Sequence, residues 1–126
     1  MLSQLGFHQK WINWVMNCIT TSTFSVLVNN SPGSCFGPSR GIRQGDPLAP
    51  YIFVLAMEYL ARTLHRECDC NNSKIGIKLT PGGTPIPFLS FADDTIIFAK
   101  ANNESIDKIK LILEDFSQVS GLKINL

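Results

Sequence analysis

Ser90-Phe91-Ala92-Asp93-Asp94-Thr95 is a pair of adjacent carboxylates set between two short apolar runs. Residues 86–91 are rich in strand formers, and Thr95-Ile96-Ile97-Phe98 is a second such run. Two strand-like runs separated by Asp-Asp read as a β-hairpin with Asp93-Asp94 at its tip. A tight hairpin offers its tip to solvent or to a ligand, and two carboxylates there form a hard-oxygen site suited to Mg²⁺. Side chains alternate along a strand, so the two are expected to be unequal: Asp93 the primary metal ligand, Asp94 a supporting one. Turn chemistry accounts for Asp at such a place equally well, because its side chain caps its own backbone. The surroundings have to decide.

On the N-terminal side of the hairpin, residues 74–80 alternate as Ile75, Ile77 and Leu79, a strand pattern. Pro81-Gly82-Gly83-Thr84-Pro85 is a turn. On the C-terminal side, Asn102 or Asn103 can cap a helix whose apolar face is Ile106, Ile109, Ile112, Leu113, Phe116 and Val119. Gly121 suits its stop, and residues 122–126 begin another strand or loop.

Further out lies Arg40-Gly41-Ile42-Arg43-Gln44-Gly45-Asp46-Pro47-Leu48. Asp46-Pro47 is a helix start, with Asp46 as cap and Pro47 at the first helical position. The helix is expected over residues 48–66. It is apolar almost all round, which predicts burial on several sides. Gly41 and Gly45 let backbone approach a ligand, and Arg40, Arg43 and the helix-start N–H groups suit phosphate. A solvated loop with an ordinary cap fits the same residues, and Asp46 itself is mainly structural.

Residues 21–28 alternate small polar and β-branched types and read as a strand. Asn29-Asn30-Ser31-Pro32-Gly33 is turn chemistry, with a return strand over residues 36–40. Residues 8–19 have helical spacing, with Gly6 interrupting the segment before them; both tryptophans, Trp11 and Trp14, fall on the apolar face and are expected to pack in the core, with an aromatic platform for bases as the second-ranked reading. The order is helix, hairpin, long helix, strand, hairpin, helix, strand. That is an α+β fold, an antiparallel sheet covered on one face by helices. Neither repeat nor linker divides the 126 residues.

Composition narrows the classes. Net charge is +1, which argues neither for nor against nucleic acid. Hydrophobic residues make up 44%, apolar for a small domain, so one face is expected to pack on another surface. The longest apolar run, residues 51–57, is too short to span a bilayer, so no membrane partner is expected. Residues 1–10 lack the charged start and apolar core of a signal peptide, so the protein is expected inside the cell, in nucleus or cytoplasm, with reduced thiols. His65, Cys68 and Cys70 are close in sequence, but structural zinc takes four ligands and no second cluster exists.

The two informative stretches converge. Phe91-Ala92-Asp93-Asp94 between apolar runs resembles the aromatic-x-Asp-Asp hairpin of reverse transcriptases. Arg40-Gly41-Ile42-Arg43-Gln44-Gly45-Asp46-Pro47-Leu48-Ala49-Pro50-Tyr51 resembles the preceding loop and helix in reverse transcriptases of plant non-LTR (LINE-type) retrotransposons. Leu5-Gly6-Phe7, Trp11-Ile12, Phe24-Ser25-Val26-Leu27-Val28-Asn29 and Ser120-Gly121-Leu122-Lys123-Ile124-Asn125 are similar to that pattern too, in order. Reverse transcriptases or maturases of mobile introns share the Asp-Asp hairpin but carry a different run before the helix, and rank second.

The resemblance implies that residues 1–126 are part of a polymerase palm performing RNA-templated DNA synthesis, a two-metal nucleotidyl transfer. Mg²⁺ or Mn²⁺ ions roughly 3.5–4 Å apart need several carboxylates in a small volume. It implies that Asp93 and Asp94 are catalytic metal ligands. Phe91 and Ala92 would lie near the primer end and nucleotide sugar, and Arg43, Gln44 and Gly45 would contact template or incoming nucleotide. Lys123 is a candidate proton donor to pyrophosphate. The partners implied are an RNA template, a DNA primer and a dNTP. The family has a further catalytic Asp on a strand before the Leu-Gly-Phe segment, with fingers and thumb beyond, and no other carboxylate here has a sequence reason to sit beside Asp93. The expectation is a palm fragment inactive in isolation, with a non-catalytic retrotransposon remnant or a nucleic-acid-binding module as the alternative.

Overall fold

The structure, a computed structural model, describes residues 1–39, 41–70, 73–122 and 124. Its elements run α1 (Gln9–Thr20), β1 (Leu27–Val28), β2 (Ser31–Pro32), α2 (Ala49–Cys68), β3 (Phe88–Phe91), β4 (Asp94–Ile97) and α3 (Asn103–Ser120). The fold is α+β, with β1-β2 and β3-β4 each a two-stranded antiparallel sheet. Two compact units form, Met1–Leu55 and Ala56–Leu126, and the boundary falls inside α2.

In the first unit, the Lys10 N–H donates to His8 Nδ1 at 3.2 Å, which caps α1. Trp11, Ile12, Val15 and Ile19 form its inward stripe, with Val15 buried and Trp11 stacked on Phe7 at 4.3 Å between ring centroids. Trp14 departs from the core assignment and is 58% exposed. At 3.6 residues per turn it lies roughly 115° of arc from the centre of that stripe.

The first hairpin is tighter than its sequence suggested. Asn29 and Asn30 hold φ of 50° and 61°, the two positive values of a type I′ turn. The turn therefore closes in two residues. Ser31-Pro32, expected within the turn, instead pairs with Val28 and Leu27. The return limb reaches Phe36, bridged to Phe24, rather than starting there. Asn tolerates the left-handed region, so no further residue is needed to reverse the chain.

In the second unit, α2 buries Ala56, Leu60, Leu64 and Cys68, spaced four apart along one stripe. Burial on several sides is not seen: in the first unit's portion of the helix, Tyr51 and Val54 stay exposed. The core is completed by Ile75, Pro87, Ser105 and Phe116. Asn102 caps α3 as expected, accepting from the Ser105 N–H at 2.9 Å and the Ser105 hydroxyl at 2.8 Å, so the buried Ser105 is satisfied. Gly121 ends the helix at φ 74°.

Helix is tied to helix by the Tyr59 hydroxyl donating to Asp115 Oδ2 at 2.8 Å and by Lys108 with Glu67. That hydrogen bond, with some burial, raises the Tyr59 pKa, and the Glu67 carboxylate raises that of Lys108. Helix is tied to sheet by His65 edge-on to Phe88, and α3 to the segment after α2 by Lys74 with Glu104. The buried Cys68 thiol donates to the Ile75 carbonyl at 3.2 Å. Phe88, Thr95 and Ile97 are half-buried, while Leu89, Phe91 and Ile96 are exposed. One face of this sheet is thus helix-covered and the other is bare.

The strand expected over residues 74–80 is reduced to two bridges, Ile75↔Ala99 and Ile77↔Ile86. Gly76 between them has φ 97°, outside the extended region, and it breaks the run. Among the described residues no helix is long and apolar enough to cross a membrane.

Candidate active site: the Asp93-Asp94 hairpin

β3 and β4 pair in the register Phe88↔Ile97, Leu89↔Ile96, Ser90↔Thr95 and Phe91↔Asp94. The two turn residues are therefore Ala92 and Asp93. This corrects the sequence expectation: Asp93 is at the tip, but Asp94 is the first residue of β4. Ala92 holds φ 52° and Asp93 a non-positive φ, the sign pattern of a type II′ turn, in which Gly is usual at the first position. An L-residue with a Cβ is disfavoured there, by about 1–2 kcal/mol in the left-handed region.

The register distinguishes the two carboxylates. Asp94 shares the bare face of the hairpin with its partner Phe91 and with Leu89 and Ile96. Asp93 stands on the turn itself. Phe91 is 85% exposed, and Ala92, Asp93 and Asp94 are exposed with it. Among the described residues neither carboxylate takes part in an ion pair or a side-chain hydrogen bond, whereas Glu58, Glu67 and Glu104 are each paired. Two adjacent carboxylates with free oxygen lone pairs suit a hard divalent cation. Among the described residues no three His, Cys, Asp or Glu side chains gather into a metal-sized group. His65, Cys68 and Cys70 do not form one: Cys68 is bonded to Ile75 O, Cys70 Sγ to Arg66 O, and His65 lies against Phe88.

Arg43, Gln44 and Gly45 lie in the first unit, in one turn. The Asp46 N–H donates to the Arg43 carbonyl at 3.3 Å, and Gly45 at the third position has φ 84°, as a type II turn requires. Asp46 Oδ1 accepts from the Leu48 N–H at 2.8 Å, so the expected cap is present, and α2 begins at Ala49. The side chains of Arg43 and Gln44 are exposed. Phe91, Ala92, Asp93 and Asp94 are brought together by the β3-β4 hairpin, and Arg43, Gln44 and Gly45 by this turn. Arg40 and Lys123 lie outside the described residues.

Core packing, the favoured sequence reading of Trp14, gives way to an exposed indole, over which Lys10 Nζ sits at 5.3 Å from the ring centroid. The signal was available: Gln9, Lys10, Asn13 and Asn17 surround Trp14 on the same polar arc of α1.

Comparisons with known proteins show which family the chain resembles over nearly its whole length. The chain is 32% identical over 98% of its length to the "Retrovirus-related Pol polyprotein from type-2 retrotransposable element R2DM" of Drosophila melanogaster, covering 11% of that protein. It is 30% identical over 98% of its length to a Pol polyprotein from a type-1 retrotransposable element R2 of Popillia japonica, covering 16%. It is 42% identical over 55% of its length to an uncharacterised mitochondrial protein of Arabidopsis thaliana, covering 56% of it. The chain thus spans a small part of the Pol polyproteins it matches. No solved structure matches. The profile of the family described as reverse transcriptase (RNA-dependent DNA polymerase) matches residues 2–126, a span that holds both the Arg43-Gln44-Gly45 turn and the Asp93-Asp94 hairpin, and the chain belongs to that family.

Proposed function

We propose that residues 1–126 are the palm portion of an RNA-directed DNA polymerase of a plant non-LTR (LINE-type) retrotransposon, and that they supply part of its metal site. The observation that carries this is the pair of exposed carboxylates, without an ion-pair partner among the described residues, on a Phe-Ala-Asp-Asp hairpin in a chain of the reverse transcriptase family. Asp93 would be the primary ligand of Mg²⁺ or Mn²⁺ and Asp94 a supporting one. Such ions activate a primer 3′-hydroxyl and hold a triphosphate. Phe91 and Ala92 would present a flat apolar surface and a backbone kink to the primer end. Arg43 and Gln44, held out by the Gly45 turn, would contact template or incoming nucleotide, Arg43 through its fork of N–H donors. Lys123 is assigned proton donation to the leaving pyrophosphate. RNA template, DNA primer and dNTP are the partners.

A second reading has its own observation: the described residues gather two carboxylates at the hairpin and no third. Nucleotidyl transfer needs a fuller cluster, so residues 1–126 alone would bind nucleic acid without extending a primer.

Two measurements test this. In the 126-residue chain, Mn²⁺ with a dNTP should broaden the amide signals of residues 90–95, and Asp93→Asn should abolish the broadening; an unaffected hairpin would remove the metal assignment. In a longer polymerase that contains this segment, Asp93→Asn should reduce primer extension at least a hundredfold, and undiminished extension would overturn the catalytic role.

A further inference from the structure

The exposed arc of α1 has a composition that the proposed polymerase site does not use. Lys10, Asn13, Trp14 and Asn17 share one side of the helix, all exposed. Lys10 Nζ sits over the Trp14 ring at 5.3 Å, with the indole still 58% exposed. Gln9 donates to Asn13 Oδ1 at 2.8 Å, which holds two amides at the edge of the same surface. Charge in the part of the sequence that contains it is one-sided. No Asp or Glu occurs before Asp46, while Lys10, Arg40 and Arg43 do occur, so the small net charge of the chain hides an acid-free N-terminal third.

We infer that this arc is a stacking site for single-stranded nucleic acid, built from none of the residues of the Asp93-Asp94 hairpin. Trp14 is the platform for one base, Lys10 the cation for the adjoining phosphate, and Asn13 and Asn17 the amides at its margin. The physical grounds are the pairing of a solvent-facing aromatic ring with a cation, which serves strands whose base faces are open. Residues 1–45 hold no carboxylate to repel a polyanion. Duplex bases are already stacked and offer no face to the indole, so a single strand is the fitting occupant. The inference rests on the nucleic-acid reading proposed above but not on the metal site.

The test is fluorescence anisotropy of labelled twelve-nucleotide oligo-uridine and oligo-thymidine with the full 126-residue chain, in low salt and with EDTA present. Binding is expected, weakening steeply with salt, and a duplex of the same length should bind several-fold less well. Trp14→Ala should weaken binding about tenfold, the low end of what stacking contributes per base, and Lys10→Gln should weaken it less while lowering the salt dependence. Lys110→Gln, an exposed lysine on α3, removes the same charge elsewhere and should change little. Both variants sit on exposed positions, and coincident thermal melts establish that they fold. Affinity unchanged in Trp14→Ala and Lys10→Gln, equal losses in Lys110→Gln, or no binding at low salt would each overturn the inference. So would loss of self-association in Trp14→Ala with oligonucleotide affinity intact, because the arc would then be a protein contact. Failure here with Asp93-dependent primer extension intact removes the α1 site alone. The converse result removes the metal site and leaves this one.

Discussion

Ala92 is the residue at which local backbone preference and the hairpin disagree. Its φ of 52° places an L-residue where glycine is favoured. Ala92→Gly should stabilise the chain by about 0.5–1 kcal/mol in a urea melt, the relief of strain being partly offset by the greater freedom of glycine when unfolded. Gly76 is the opposite case. Its φ is 97°, and a Cβ built there would lie 2.5 Å from Cys68 Sγ. The sulfur is on a short side chain, buried and bonded to the Ile75 carbonyl, so it has no room to give way. Gly76→Ala should cost roughly 2–4 kcal/mol, and Cys68→Ala in that background should recover only the steric share. Burial raises the Cys68 thiol pKa, with neighbouring Asp69 adding to the shift. Less thiolate is present at a given pH, so timed alkylation near pH 8 should label the exposed Cys18, Cys35 and Cys70 before Cys68.

At the scale of the element, α3 depends most visibly on its cap. Asn102 Oδ1 satisfies both the Ser105 N–H and the buried Ser105 hydroxyl. Asn102→Ala should therefore cost about 1–2 kcal/mol, at the upper part of the range for caps, because a buried hydroxyl is orphaned as well. Asn102→Asp should retain most of the stability, which separates cap chemistry from side-chain size. In the β3-β4 hairpin the ladder reaches Phe91↔Asp94 before the turn, so Asp94 is held by strand pairing while Asp93 is held only by the turn.

For the whole molecule, charged ties give a stability profile with two limbs. Lys74 beside Glu104 lowers the Glu104 pKa, chiefly through its hydrogen bond, so this contribution is present above about pH 4.5 and is lost as pH falls through the lower folded value. Glu67 raises the Lys108 pKa and Asp115 that of Tyr59. Those contributions are complete below about pH 10 and are lost as pH rises through the folded values. Both ion pairs are solvent-exposed, so each limb should be shallow. Glu104→Gln should flatten the acid limb of a stability-against-pH curve and leave the alkaline limb in place. Leu89, Phe91 and Ile96 on the bare sheet face should make the isolated chain associate with increasing concentration in sedimentation velocity, and Leu89→Lys with Ile96→Lys should reverse it.

What the sequence by itself determined is what short-range chemistry encodes. The cap at Asp46, the cap and stop at Asn102 and Gly121, the Asp-bearing hairpin and the α+β class all follow from residues within a few positions of one another, and the motif spacing led to the family. Tertiary structure alone decided which apolar side chains are covered. Trp14 and Tyr51 have the same transfer preference as buried neighbours, but burial depends on what lies opposite, and that is set by residues distant in the chain. It also decided the turn register, placing Ala92 rather than Asp94 in the turn with Asp93. A two-residue turn forms where cross-strand pairing of Phe91 with Asp94 outweighs the backbone preference of a single alanine.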